Sequence, residues 1–255
     1  MVSGMATIDR TKTGVYEVKE GTLSDIEEVL HLEGFFPEPL RAREEVIRGR
    51  FNRYPGLHLV EHCPSRSNGN REIVAYLSHG PIYPDYINRI LSLEDYQSYP
   101  PDLVIFRPEA FITQHEINKI KAQNGNLHGI PYLLISMLVL EDHQRKSLRK
   151  TGYSGRTPAL LLLEAAVKEA KKRGFGAIYG VPETNASRKF FEHLDVEILR
   201  YLKPPISLLG ITDYVVLFTY PISDEHHFQR FLRKIEERSL LAHSLPRKLE
   251  LVKTS

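Results

Sequence analysis

Cysteine is almost missing from this chain. Cys63 is the single one in 255 residues, so no intrachain disulfide can form and a reducing compartment is the natural fit. Long apolar runs are missing too. No stretch approaches the roughly eighteen residues of a membrane-spanning helix, and Met1 to Lys12 lacks the pattern of a signal peptide. A cytosolic or nuclear protein with no membrane partner is therefore expected. Neither sign of charge is in excess: 34 Lys and Arg stand against 32 Asp and Glu, a net +2, so no nucleic-acid partner is expected on bulk charge. There is no internal repeat. Gly152 and Gly155 form neither a dinucleotide fingerprint nor a Walker loop, whose Gly-Lys-Ser/Thr ending is absent.

What is present suits one globular unit with a sizeable core, since 42% of residues are hydrophobic and 26% charged. Residues 1–13 are polar and expected to be flexible. Val15 to Val18 reads as a first strand. Thr22 caps a helix with Leu23, Ile26, Val29 and Leu30 on one face, and Arg41 to Phe51 reads as a second helix. Leu57 to Cys63 and Ile73 to Ser78 form a hairpin across the turn-rich Pro64 to Gly69. Residues 81–129 make a long insertion, either an ordered lid or surface decoration, with a short helix within Phe111 to Ala122. Later strands are expected at Phe175 to Val181, Glu197 to Tyr201 and Asp213 to Tyr220. A helix near Thr184 lies between the first two. Residues 223–243 read as an extra C-terminal helix with Phe228, Phe231, Leu232 and Ile235 at helical spacing, and 244–255 as a tail.

The chain is organised around residues 133–173. Leu133 to Leu140 has the length of a strand rather than a helix, and its near-continuous hydrophobicity implies cover on both faces. Pro158 to Arg173 reads as a helix with Thr157 as N-cap, Pro158 at its first position and Gly174 as its stop. Between them lie Arg145, Lys146, Arg149, Lys150 and Arg156. A basic loop leading into a helix N-terminus suits a phosphate-bearing ligand, because free N–H groups and the positive dipole end face the anion. A solvated basic loop is the plainer reading of the same charges.

Val139-Leu140-Glu141-Asp142-His143-Gln144-Arg145-Lys146-Ser147-Leu148-Arg149 resembles motif A of the GNAT superfamily of acetyl-CoA-dependent N-acetyltransferases. There an apolar strand runs into Gln/Arg-x-x-Gly-x-Gly/Ala and then a leucine-rich helix. Gln144 takes the Gln/Arg position, while Ser147 and Arg149 stand where small residues are usual. A second register puts Gly155 and Thr157 at the two small positions. Thr184-x-x-Ser187-x-x-Phe190-Phe191-x-x-Leu194 is similar to motif B. Leu32-Glu33-Gly34-Phe35-Phe36-Pro37, Pro55-Gly56-Leu57 and Ile73-Val74-Ala75-Tyr76-Leu77 resemble the arylalkylamine branch, in particular its fungal polyamine-type members. The resemblance spans about Tyr16 to Pro221. It implies an α/β fold, a mixed central sheet flanked by helices over residues 14–222, with acetyl-CoA as cosubstrate and a small-molecule primary amine as acceptor.

It also implies a site. Acetyl-CoA would lie against Leu138, Val139 and Leu140, with a backbone N–H of this strand polarising the thioester carbonyl. Its pyrophosphate would meet Gln144, Arg145, Lys146, Ser147, Leu148 and Arg149 in one register, or Gly152, Gly155 and Thr157 in the other. The arylalkylamine enzymes carry two strand histidines and a motif B tyrosine for proton movement. Leu133, Ile135 and Phe191 occupy those positions here, and none can move a proton. An amine of pKa ~10.4 is neutral only about one part in a thousand at pH 7.4, so a base matters. Candidate replacements are His128 and Tyr132, just before the strand, or a water held by Glu141, Asp142 or Glu183; for each, a satisfied surface or core residue is the alternative. Glu33 and Glu38 could attract a cationic amine, with Phe35, Phe36 and Pro37 walling it. His58, His62 and Cys63 lack a carboxylate at ligand spacing, so no metal is expected. Two other readings stay open: a catalytically weakened acyl-CoA-binding protein, and a macromolecule-binding module using the basic loop and the last helix.

Overall fold

The structure, a computed structural model, describes residues 9–11, 14–35, 41–63, 71–98, 107–140, 143, 157–182, 185–203 and 214–244. Its strands are β1 (Asp9–Thr11), β2 (Gly14–Glu20), β3 (Leu57–Cys63), β4 (Glu72–Pro81), β5 (Tyr132–Val139), β6 (Ala177–Gly180), β7 (Glu197–Leu202) and β8 (Val215–Pro221). They join in one eight-stranded sheet of order β1-β2-β3-β4-β5-β6-β8-β7. Every neighbouring pair is antiparallel except β5 and β6. That one parallel pair requires a crossover, which α5 (Pro158–Arg173) supplies.

The other helices are α1 (Ile26–Glu33), α2 (Glu44–Arg53), α3 (Pro84–Leu91), α4 (Gln114–Asn124), α6 (Asn185–Glu192) and α7 (Glu225–Ser244). Strand alternation divides the core. Leu57, Leu59, Tyr76 and Leu138 pack with Ile26, Val29, Leu32 and Ile47 of α1 and α2. Val60, Ala75 and Leu77 pack in the larger cluster that holds the buried leucines Leu160 to Leu163 of α5. Phe228, Phe231 and Ile235 of α7 join that larger cluster, with the Phe231 ring tilted against Tyr220 at a centroid distance of 4.6 Å.

Most elements fall within a few residues of their sequence expectation. Part of the amino-terminal stretch expected to be flexible is instead a short strand, because Asp9–Thr11 pairs with Gly14–Tyr16. The expected first strand is thus the second. Within the long insertion, the described parts carry α3 and α4, whose Ile87, Ile90 and Ile117 enter the core along with Phe111. Thr113 begins α4 with a capping box: its hydroxyl accepts from Glu116 N at 3.2 Å, and Thr113 N donates to Glu116 Oε2 at 2.9 Å.

Candidate functional site

Strand β5 touches β6 over a short length only: Tyr132, Leu133 and Leu134 pair with Ile178, Tyr179 and Gly180. Beyond Leu134, β5 stays on β4 as far as Val139, while β6 ends at Gly180. The edge of β5 from Ile135 to Val139 therefore has no strand partner among the described residues. The separation begins at a bulge. Ser78 faces Ser136 and His79 faces Leu134, which leaves Ile135 as the extra residue.

Which groups that free edge offers follows from the pairing. Leu140 N donates to Val74 O at 2.9 Å, so in antiparallel alternation the N–H groups of Met137 and Val139 point away from β4. Of the three positions the sequence reading assigns to this role, Val139 keeps a free-edge N–H. Leu138 buries its side chain under α1 and α2, and the Leu140 N–H is taken.

The N-terminus of α5 follows the same strand. Thr157 is buried, and its hydroxyl accepts from Leu160 N at 3.4 Å, so it serves as the helix cap. Gln144, Arg145, Lys146, Ser147, Leu148, Arg149, Gly152 and Gly155 lie outside the described residues, as do Glu141, Asp142, Glu183 and Glu38.

Of the proposed replacements for the missing acid–base groups, the two described ones, His128 and Tyr132, do not converge. His128 is exposed in the turn before β5, at the opposite strand end from α5's N-terminus. Tyr132 is fully buried on the α5 face, its hydroxyl 2.6 Å from His79 Nδ1, and burial holds that hydroxyl well above the usual tyrosine range. Phe191 packs 4.4 Å from Phe218 and fastens α6 to β8. Leu133 is likewise buried.

Tyr132 belongs to a buried polar chain that single-residue reasoning missed. His79 meets His58 at 2.5 Å, His58 Nε2 lies 3.5 Å from Glu169 of α5, and Glu169 pairs with Arg173 at 2.7 Å. Burial, with the Arg173 charge adding to it, pushes His58 down to about 4; burial drives His79 lower as well. Both rings are therefore neutral, and the chain ties the sheet to α5.

A different group gathers on the α1/α2 face, under the free segment of β5. Here a small cavity is lined by Glu33, Arg50, Tyr54, Tyr76, Ser78 and Ser136, among others. Glu33, the last residue of α1, is 3% exposed. Its carboxylate accepts from the Tyr76 hydroxyl and, at 2.8 Å, from Ala42 N. Burial raises its pKa, partly offset by those hydrogen bonds and by the charges of Arg50 and Arg41. The buried Tyr54 hydroxyl reaches no hydrogen-bond partner among the described residues. Gly56 permits the close packing here: a Cβ on it would lie 1.8 Å from His79 O. Glu33 was singled out in the sequence for its charge; Tyr76 and Ser136 were not, because each reads as one more residue of an apolar strand.

A carboxylate and a phenol beside a strand with free N–H groups can take a proton and hold a carbonyl oxygen at neighbouring points. No family model and no curated protein matches the sequence. Solved structures do match its fold. The mosquito arylalkylamine N-acetyltransferase like 5b is 14% identical, with a TM-score of 0.53 over 81% of this chain and 100% of that one. Arabidopsis thaliana NAA60, solved with acetyl-CoA, is 15% identical, with a TM-score of 0.51 over 82% and 99%. A chain of the NatC complex, solved with Gag peptide and CoA, is 11% identical, with a TM-score of 0.50 over 81% and 98%. The fold is that of the GNAT N-acetyltransferases.

Proposed function

We propose that this chain, built on that fold, transfers the acetyl group of acetyl-CoA to a primary amine, an arylalkylamine or polyamine, by direct attack within a ternary complex. The observation that carries the reading is the parting of β5 from β6 after Leu134, which leaves the Met137 and Val139 N–H groups on an edge with no strand partner among the described residues. A pantetheine arm would add to such an edge as a half-strand, with the Val139 N–H donating to the thioester oxygen. The pyrophosphate falls to the residues from Gln144 to Gly155 ahead of α5, as the motif resemblance implies.

Glu33 is the proton acceptor in this scheme, with Tyr76 hydrogen-bonded to it. The amine nitrogen forms the new C–N bond, its N–H proton passes to Glu33, and the C–S bond breaks to release coenzyme A as a thiolate. A thiol of pKa about 8.5 departs with little help, which is why the missing tyrosine at Phe191 is tolerable. A buried carboxyl with raised proton affinity suits the base better than an exposed one.

The test is a time course of thiol release from acetyl-CoA with spermine, tryptamine, phenethylamine and a peptide with a free amino terminus. Release with one of the small amines supports the reading. Release with the peptide alone moves the acceptor to proteins. Coenzyme A binding without release from any of the four leaves an acyl-CoA-binding protein, a reading favoured by the burial of Leu133 and Phe191 in the core.

A further inference from the structure

Three side-chain clusters among the described residues bring together groups able to ligate a metal. In the first, His58, His79 and Glu169, the two ring nitrogens lie 2.5 Å apart in a direct hydrogen bond. Bonds of about 2.0–2.1 Å in a tetrahedral set need donors roughly 3.3 Å apart, so no ion fits between them, and Arg173 already neutralises Glu169. In the second, Glu17, Glu61 and Cys63, Arg71 bridges both carboxylates at 3.1 and 3.0 Å, and Lys19 adds a second cation on Glu61 at 2.7 Å. Side-chain cations fill that place.

The third cluster is different. His62 of β3 and Glu72 of β4 are cross-strand partners, and His143, from the segment between β5 and α5, sits over them. One ligand atom from each lies within 4.8 Å of the others, with His143 Nε2 facing Glu72 Oε2 at 3.8 Å. The His62 and His143 rings meet edge to face at 4.9 Å. The Tyr16 hydroxyl lies 3.1 Å from His143 Nδ1, the kind of partner that fixes the tautomer of a ligating histidine and leaves its other nitrogen for the metal. Glu72 is exposed and His143 buried, so the group has a route from solvent and a dry inner side.

We propose that His62, Glu72 and His143 bind a divalent transition-metal ion, with zinc as the natural occupant of two imidazoles, one carboxylate and a water. The set would supply three protein ligands with the water as the fourth, and the donors, 3.8 Å apart at His143 and Glu72 and all within 4.8 Å, would draw in by about 0.5–1.5 Å to reach zinc spacing. The ion would pin the start of the β5–α5 segment to the β3–β4 hairpin. If that segment holds coenzyme A, as the proposed function has it, zinc and coenzyme A binding are linked reciprocally.

The site itself is tested without any acyl transfer. The full chain, stripped with chelator, is titrated with zinc chloride by calorimetry, and bound zinc is counted by mass spectrometry. One zinc per chain is expected, with Glu72→Gln and His62→Ala each removing it. Tyr16→Phe keeps the site and weakens it by roughly 10- to 100-fold. Zinc should raise the melting temperature of the wild type and not of Glu72→Gln, whose surface position leaves the fold intact by circular dichroism. No bound zinc, or zinc bound equally by Glu72→Gln and His62→Ala, overturns the proposal, and either result leaves the thiol-release assay free to succeed or fail separately.

Discussion

Glu33 closes α1 with both carboxylate oxygens engaged, one by Tyr76 and one by Ala42 N, in a place water scarcely reaches. If it is the base, Glu33→Gln keeps the shape and removes the proton acceptor. The acetylation rate should then fall by about 10²–10⁴, and the decline toward acid pH that the wild type should show is expected to disappear. A steady-state pH profile of both proteins decides this; an unchanged acid limb in the variant rules Glu33 out. The buried histidines give a second residue-scale expectation. His58 is held down to about 4 against about 6.5 in the unfolded chain, first by burial and then by Arg173. Between those values the unfolded chain takes up a proton that the folded chain refuses. Stability that is full above pH 6.5 is therefore lost as pH falls toward 4, by on the order of 3 kcal/mol from this ring, and His79 acts in the same direction. Urea unfolding at pH 7 and pH 5 should show the loss, with a shallower slope in His58→Gln. Of these side chains, charge alone pointed to Glu33; Tyr76, His79 and Glu169 gain their meaning from partners many residues away.

At the scale of elements, α5 is the best-determined part of the molecule. Its bounds, its Thr157 cap, Pro158 at the first position and Gly174 in the left-handed region at φ 95° all follow from local rules, and the structure has each of them. Four leucines in succession, Leu160 to Leu163, are all buried, since α5 packs on the sheet and against α7. Truncating Leu162, which has no exposed surface, should cost roughly 2–5 kcal/mol in chemical denaturation; less than about 1 kcal/mol would contradict the packing. Strand β5 was equally legible as an apolar run, with its observed bounds one residue earlier at each end. Its bulge at Ile135 and its parting from β6 were not. An apolar run states that a strand is buried; it does not state where its neighbour stops.

For the whole molecule, the sheet order sets one parallel contact among antiparallel neighbours, and beyond that contact the edge of β5 has no strand partner among the described residues. The last helix, α7, closes the far side through Phe228, Phe231 and Ile235, with Lys171 of α5 donating to Ser223 O at 2.7 Å. Phe231→Ala should therefore destabilise the protein by about 3–5 kcal/mol in the same denaturation assay, whereas a helix held only loosely would lose almost nothing. The mixed sheet came from the motif resemblance, while local features were legible from residue order alone: the run of strands and helices, the caps on α5 and the absence of any long apolar span. These depend on residues a few positions apart, through side-chain periodicity and backbone hydrogen bonds within one element. How far β5 follows β6, the meeting of Glu33 with Tyr76 beside Ser136, and the approach of Glu72 and His143 to His62 emerge only on folding. Those meetings are fixed by sheet register and helix docking between segments far apart in the chain, and no local pattern of residues encodes them.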